Sequence, residues 1–405
     1  RYSAVVNHVL SVSSSDDQTV TVELGQPDAA FLTTIATYGI VPWHVLGDVL
    51  PEEQITNPFG SSSAVGTGPF SLVARDLGHE IIFQRNPSYF RGPAAVQQYV
   101  YRMVASDSDL LAGVANGSIH WAFLDPAAYV DATKSAGLTV DTLSGYDLSY
   151  VALQLDPAKS LLFQDQRVRQ ALMLALDRPA ATRQFFSGQA QVADGVEPPA
   201  SWAYTASGPV YRQQLAQARQ LLDAAGWIVG SDGIRAKGGR PFRFTLMTDG
   251  TNPTRRAVAG WLAKSWRAIG LDVTVDFEQA STVQQQLAVM HDFDAILTGY
   301  RGSLDPDQTQ LWASESRQGG LNAGSYSNAV VDQDLSQALG TDSRSERLAL
   351  YQQISKQVMT DLPVLPLWFP STIVVRGQRL RSVPLTAILI ENRADIATWK
   401  PSGGP

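Results

Sequence analysis

At 405 residues, with 44% hydrophobic and 17% charged residues and nine tryptophans, the chain is globular and long enough for two or three domains. A net charge of -7 disfavours a nucleic-acid partner, whose phosphates need a basic face, and the lack of cysteine excludes disulfides and thiolate metal sites. No apolar run approaches the ~18 residues that span a bilayer, and the first residues do not read as a secretory leader, so the chain reads as cytoplasmic or as a processed exported protein.

The chain opens with Tyr2, Val5, Val6 and Val9, then turns at Ser13–Asp17. Thr19–Leu24 alternates apolar and polar residues and predicts a strand, and Phe31–Ile40 predicts a helix. Ser61–Phe70 reads as a linker ending in Gly66-Thr67-Gly68-Pro69-Phe70. Two glycines around a threonine suggest a phosphate cradle, but no Lys-Ser/Thr follows, and a tight turn into a strand at Phe70–Val73 is the simpler reading. Strands follow at His79–Gln84, Tyr99–Met103 and Ile119–Phe123, with a helix at Asp107–Asn116 that Gly117 caps.

Tyr150–Leu155 predicts a strand, broken at Asp156-Pro157. Asp165 is a good N-cap for a helix with Val168, Ala171, Leu172, Ala175 and Leu176 on one face, and Pro179 reads as its stop. Tyr211–Ala225 is helical with Gly226 after it. Phe242–Thr248, Pro253–Ile269 and Leu271–Phe277 read as strand, helix and strand, a βαβ crossover whose carboxyl-end loops suit a ligand. In the last strand Leu271, Val273, Val275 and Phe277 are expected inward. Another strand, Phe293–Tyr300, leads into Arg301-Gly302-Ser303-Leu304-Asp305-Pro306-Asp307, and helices at Val331–Leu339 and Ser345–Met359 precede a strand at Val364–Val375.

Several ordered motifs point one way. They are a strand followed by Phe163-x-Asp165-x-Arg167-Val168-Arg169-Gln170-Ala171-Leu172, then Gly66–Phe70, Asn86-Pro87-Ser88-Tyr89-Phe90, Ala225-Gly226-Trp227 with Asp232-Gly233-Ile234-Arg235, and Asn322–Asp332. Together they resemble the family 5 extracytoplasmic solute-binding proteins, the peptide, opine and nickel receptors of ABC importers, over nearly the whole chain. Ala329 replaces a proline of the family pattern, and Trp121 stands where many relatives are acidic. Relatives also carry a substantial stretch before the part matching residues 1–60, so the first lobe is expected to be incomplete here.

The resemblance implies an α/β fold of two lobes, periplasmic-binding-protein-like (type II, cluster C), with mixed sheets and crossing hinge strands near Ser149–Leu155 and Leu367–Val375. The expected division is residues 1–65 as the remainder of a small subdomain, 66–150 plus 376–405 as lobe I, and 151–375 as lobe II. It implies a receptor that closes on a peptide or peptide-like solute and delivers it to ABC permease subunits. The chain is then an extracytoplasmic monomer, in the periplasm or lipid-anchored, with no cofactor and no catalysis. A ligand-sensing domain of a regulator or chemosensor, and an enzyme, stay as the other classes.

Against an enzyme, the sequence has no G-x-S-x-G elbow and no H-E-x-x-H. Against a metal site, histidines 8, 44, 79, 120 and 291 show no ligand spacing. In peptide-binding relatives the loop matching Tyr300–Asp307 holds a carboxylate for the ligand's amine. Asp305-Pro306 fits that loop, but Gly302 stands at the amine-binding position. Arg301 then suits a ligand carboxylate or phosphate, or serves as a structural partner of Asp305 or Asp307. Tyr150 and Gln154 are expected at the crossing, Thr248, Thr251 and Asn252 after a strand, and Trp312 and Trp368 in cleft or core. Asp165, Arg167 and Arg169 are expected to be structural.

Overall fold

In a computed structural model, residues 8–34, 39–54, 57–60, 64–206, 208–380 and 395–399 are described. Tyr2, Val5 and Val6, part of the Phe31–Ile40 prediction, part of the Ser61–Phe70 linker and most of the tail lie outside them. The chain divides into two compact units, Arg1–Thr37 with Gly145–Pro370, and Tyr38–Ser144 with Ser371–Pro405.

The larger unit is built on one mixed sheet. Its elements are β1 (Asp147–Leu153), α1 (Gln166–Leu174), α2 (Arg178–Phe186), β2 (Ala190–Val192), α3 (Leu215–Ala224), β3 (Arg243–Asp249), α4 (Pro253–Arg267), β4 (Asp272–Glu278), β5 (Ala295–Arg301), α5 (Ala329–Leu339), α6 (Arg344–Asp361) and β6 (Val364–Arg376). The strand order is β4-β3-β5-β1-β6, with β2 on β6. β3 runs parallel to β4 and β5, and β1 is antiparallel to β5 and β6. The predicted crossover is therefore β3-α4-β4, in step from Arg243 beside Asp272 to Asp249 beside Glu278.

Helix α4 shows why this segment folds as it does. Asn252 accepts the Arg255 amide, Pro253 occupies the first turn where no N–H is needed, and Gly270 takes a φ of 91° after the helix. Val258, Ala259, Leu262, Ala263 and Trp266 form its buried face. The fully buried Trp266 also donates its indole N–H to the Leu172 carbonyl at 3.0 Å, which ties α4 to α1.

Among the sequence readings that change, the helix expected over Tyr211–Ala225 begins only at Leu215. Asp165 caps α1 as expected, but the helix ends at Ala175, and Pro179 lies in the first turn of α2, capped by Asp177. A proline stops a helix or starts one, and the Asp177 cap decides for a start. Phe277 is 48% exposed at the carboxyl end of the edge strand β4, where the Arg256 guanidinium lies over its ring at 5.3 Å.

In the smaller unit, strands Phe70–Asp76, Glu80–Arg85 and Gln98–Arg102 form an antiparallel sheet. Helix Asp107–Asn116 starts at a Ser106 cap and ends at Gly117, whose φ is 81°. Strands Trp121–Leu124 and Thr139–Ser144 pair with the last six residues of β6. Leu111, Val114, Ala122, Leu124, Ala132, Ile373 and Val375 are its core.

Candidate functional site

Parallel strands end on one side of a sheet, and in α/β units that edge is where loops can surround a ligand. Here β3, β4 and β5 deliver Asp249, Glu278 and Arg301 to the same edge. β1 runs the other way, so its first residue, Asp147, lies directly across from Arg301. Arg301 donates from Nε and Nη2 to the two carboxylate oxygens of Asp147 at 2.8 and 3.1 Å. This fork holds the guanidinium in place, and the Asp147 carboxylate raises its pKa. The Arg301 side chain is still 67% exposed.

The turn after β3 is organised by its own carboxylate. Asp249 accepts the Thr251 amide at 2.9 Å and the Thr251 hydroxyl at 2.6 Å, which sets Asn252 to cap α4. Arg255, in the first turn of α4, is only loosely paired with Asp249 at 3.7 Å. Its guanidinium reaches over β5 at Gly299, 4.0 Å from where a side chain would begin. Tyr300 is half-buried against the core. At Gly302 a Cβ would come within 3.0 Å of the Tyr146 carbonyl oxygen, so the position tolerates little but glycine without a shift.

Of the residues selected from sequence, Asn252, Tyr300 and Arg301 stand at this edge. Tyr150 and Trp312 meet elsewhere, with Asn322, Tyr326 and Pro363, around a cavity of about 20 Å3 inside the larger unit. That is room for about one water, not for a peptide side chain. Burial pushes the Tyr150 hydroxyl up to about 12, so it remains a neutral phenol.

Apart from Trp368, whose buried indole N–H finds no partner among the described residues, the other selected residues have their polar groups engaged inside the unit. Thr248 is fully buried and donates its hydroxyl to the Leu297 carbonyl at 3.0 Å. Gln154 lies beyond the far end of β1, about 23 Å along the strand from Asp147. It donates to the His291 carbonyl and accepts the Asp156 amide. Trp368 packs on Phe186 and Trp261. Asp305 pairs at 2.7 Å with Arg347, both nearly buried, so neither it nor Asp307 is the partner of Arg301. Arg169 is likewise structural, donating to the carbonyls of Phe163, Gln164 and Asp361.

Sequence reasoning missed Asp147 and Arg255. Asp147 becomes visible only once β1 is aligned antiparallel to β5, and Arg255 looked like an ordinary solvent-facing residue of a helix. Among the described residues, no group of three His, Cys, Asp or Glu is arranged to hold a metal ion, and no helix is long and apolar enough to cross a membrane.

Residues 1–322 match the family described as bacterial extracellular solute-binding proteins, family 5. The oligopeptide-binding protein AppA of Bacillus subtilis is 30% identical over 375 residues, covering 91% of this chain and 68% of that protein. The solved structure of that AppA with a nonapeptide superposes with a TM-score of 0.87 at 27% identity, over 99% of this chain and 79% of the other. NikZ of Campylobacter jejuni, solved with Ni(L-His), shares the fold with a TM-score of 0.86 at 23% identity, over 98% and 80% of the two chains. The motifs, the two-unit α/β architecture and the match over most of its length place this chain in family 5 of the bacterial extracellular solute-binding proteins.

Proposed function

We propose that this receptor captures a peptide or peptide-like solute at the carboxyl edge of β3, β4 and β5 and passes it to the transmembrane subunits of an ABC importer. The observation that carries the reading is the exposed Arg301 fork on Asp147, at the strand edge where α/β units bind ligands, in a chain 30% identical to an oligopeptide-binding protein. Asn252, Tyr300 and Arg301 face the solute, joined by Arg255, while Tyr150 and Trp312 line the separate internal cavity. Gln154, Thr248, Asp305 and Trp368 hold the frame.

The two units act as the lobes of a jaw. Among the described residues, the chain passes between them at Ser144–Gly145 and at Pro370–Ser371, and these crossings absorb the closure. The protein works as a monomer outside the cytoplasm, free or lipid-anchored, and performs no covalent chemistry.

With glycine at 302 the ligand's amine has no carboxylate there, so Arg301 makes the principal charged contact, to a carboxylate. Calorimetric titration with one peptide in free, N-acetylated and C-amidated forms tests this. Acetylation is expected to leave affinity nearly unchanged, and amidation to weaken it about tenfold, the worth of one charge-assisted hydrogen bond. Loss of binding on acetylation with none on amidation would overturn the assignment.

A further inference from the structure

The loop that leaves β5 carries Asp305 and Asp307 away from the ligand edge and back into the larger unit. There it meets the segment following β2, in which Glu197 is 3% exposed. Among the described residues, no cation pairs with Glu197. Ser201 hydrogen-bonds to it, and the charges that act on it are Asp307 and Asp305. The two segments are tied together nearby, where Gln308 Nε2 donates to the Val196 carbonyl at 3.1 Å.

The surroundings are short of positive charge. From α6, Arg347 donates to Asp305 at 2.7 Å and to the Tyr351 hydroxyl at 3.1 Å. Arg344 and Arg347 both lie over the Trp202 ring, at 4.9 and 5.4 Å. From the N-terminal segment, Asp28 adds a further negative charge on Asp307, with His8 at 3.8 Å from Asp28. That segment is docked by the Ala29 amide, which donates to the Leu339 carbonyl at 2.9 Å. Four carboxyl groups from three segments thus converge, and Arg347 is the one guanidinium bonded to any of them among the described residues.

Such a cluster is stable only if some carboxyls keep their protons. Burial, first, and then the neighbouring carboxylates push Glu197 up to about 8, and loss of solvent raises Asp307 as well. We infer that Glu197 is a proton-held latch, which when protonated lets the segment after β2 lie against the Asp305–Gln308 loop and when ionised drives the two apart. The loop so held is the one that begins at Arg301. A group whose pKa is raised in the closed state holds it fully below the ordinary glutamate range. That hold weakens as pH rises and is gone above the raised value. The opening equilibrium of the latch should therefore grow about tenfold per pH unit between roughly pH 5 and 8, then level off.

Hydrogen exchange of the intact protein without ligand measures this independently of any ligand reading. After correction for the intrinsic pH dependence, protection of the Val196, Asp307 and Thr309 amides should fall about tenfold per unit over that range, while Val273 in β4 stays constant. Glu197→Gln should flatten the profile. Asp307→Asn, which keeps Glu197 and removes one like charge, should move the levelling-off point to lower pH, and it serves if Glu197→Gln does not fold. A profile already flat in the native protein, or an equally steep one in Glu197→Gln, overturns the inference. So does a Glu197 carboxyl that titrates below about pH 5.5 by carbon NMR.

Discussion

Arg347→Met is the substitution that tests most severely how the loop bearing Asp305 is held. Arg347 is nearly buried on α6, pairs with Asp305 at 2.7 Å, and donates to the Ala338 carbonyl at 3.0 Å and to Tyr351 at 3.1 Å. Methionine keeps most of the aliphatic stem, so packing against Trp202 is largely preserved and the loss is mainly electrostatic. Removing one partner of a buried pair leaves the other charged without compensation, at a cost of about 3–5 kcal/mol. Against the 5–15 kcal/mol typical of a folded domain, that is a large fraction. Urea unfolding followed by tryptophan fluorescence reports it, since Trp202 touches the site. Asp305→Asn should cost a similar amount, because it strands the guanidinium while keeping an acceptor for the Asp307 amide. The double variant should be less destabilised than the sum of the singles by about 2 kcal/mol. A loss below about 1 kcal/mol for Arg347→Met, or strict additivity, would refute the reasoning.

Three further outcomes follow from the same geometry. Arg301→Gln breaks a pair whose arginine is 67% exposed, so stability should change by less than about 1 kcal/mol while peptide affinity drops about tenfold in calorimetry. Gly324→Ala would press a methyl group onto the backbone carbonyl oxygen of Leu153, which cannot swing aside; thermal melts should show a loss of about 1–3 kcal/mol. Glu197→Gln should leave stability near native at pH 5 and raise it above native at pH 8, because the proton Glu197 retains in the fold up to about pH 8 is given up in the unfolded chain near pH 4.5. Chemical denaturation at the two pH values checks the sign.

Much of the architecture was legible in the sequence because local chemistry and burial agree there. Asn252-Pro253 begins α4 and Gly270 ends it, and the alternation of Val273 and Val275 reports a half-covered strand. Pro179 misled because the same residue type ends one helix and begins another, and only the Asp177 cap distinguishes the two. Phe277 misled because period-2 alternation cannot reveal that β4 is an edge strand. The site was harder to read. Arg301 drew attention in the sequence, but its partner Asp147 is 154 residues away and is fixed only by strand register. Glu197 offered no sequence signal, since its unusual state comes from burial beside Asp305 and Asp307, which arrive from a different segment.

Solute capture is tested by mass spectrometry of small molecules released when the purified protein is denatured. Each compound found is then added back in a thermal-shift assay. A peptide or peptide-like molecule should be released and, at about a hundredfold excess over its Kd, should stabilise the protein by about 2.7 kcal/mol. A protein that releases nothing and whose melting is unmoved by any peptide in a pool of defined lengths would contradict it.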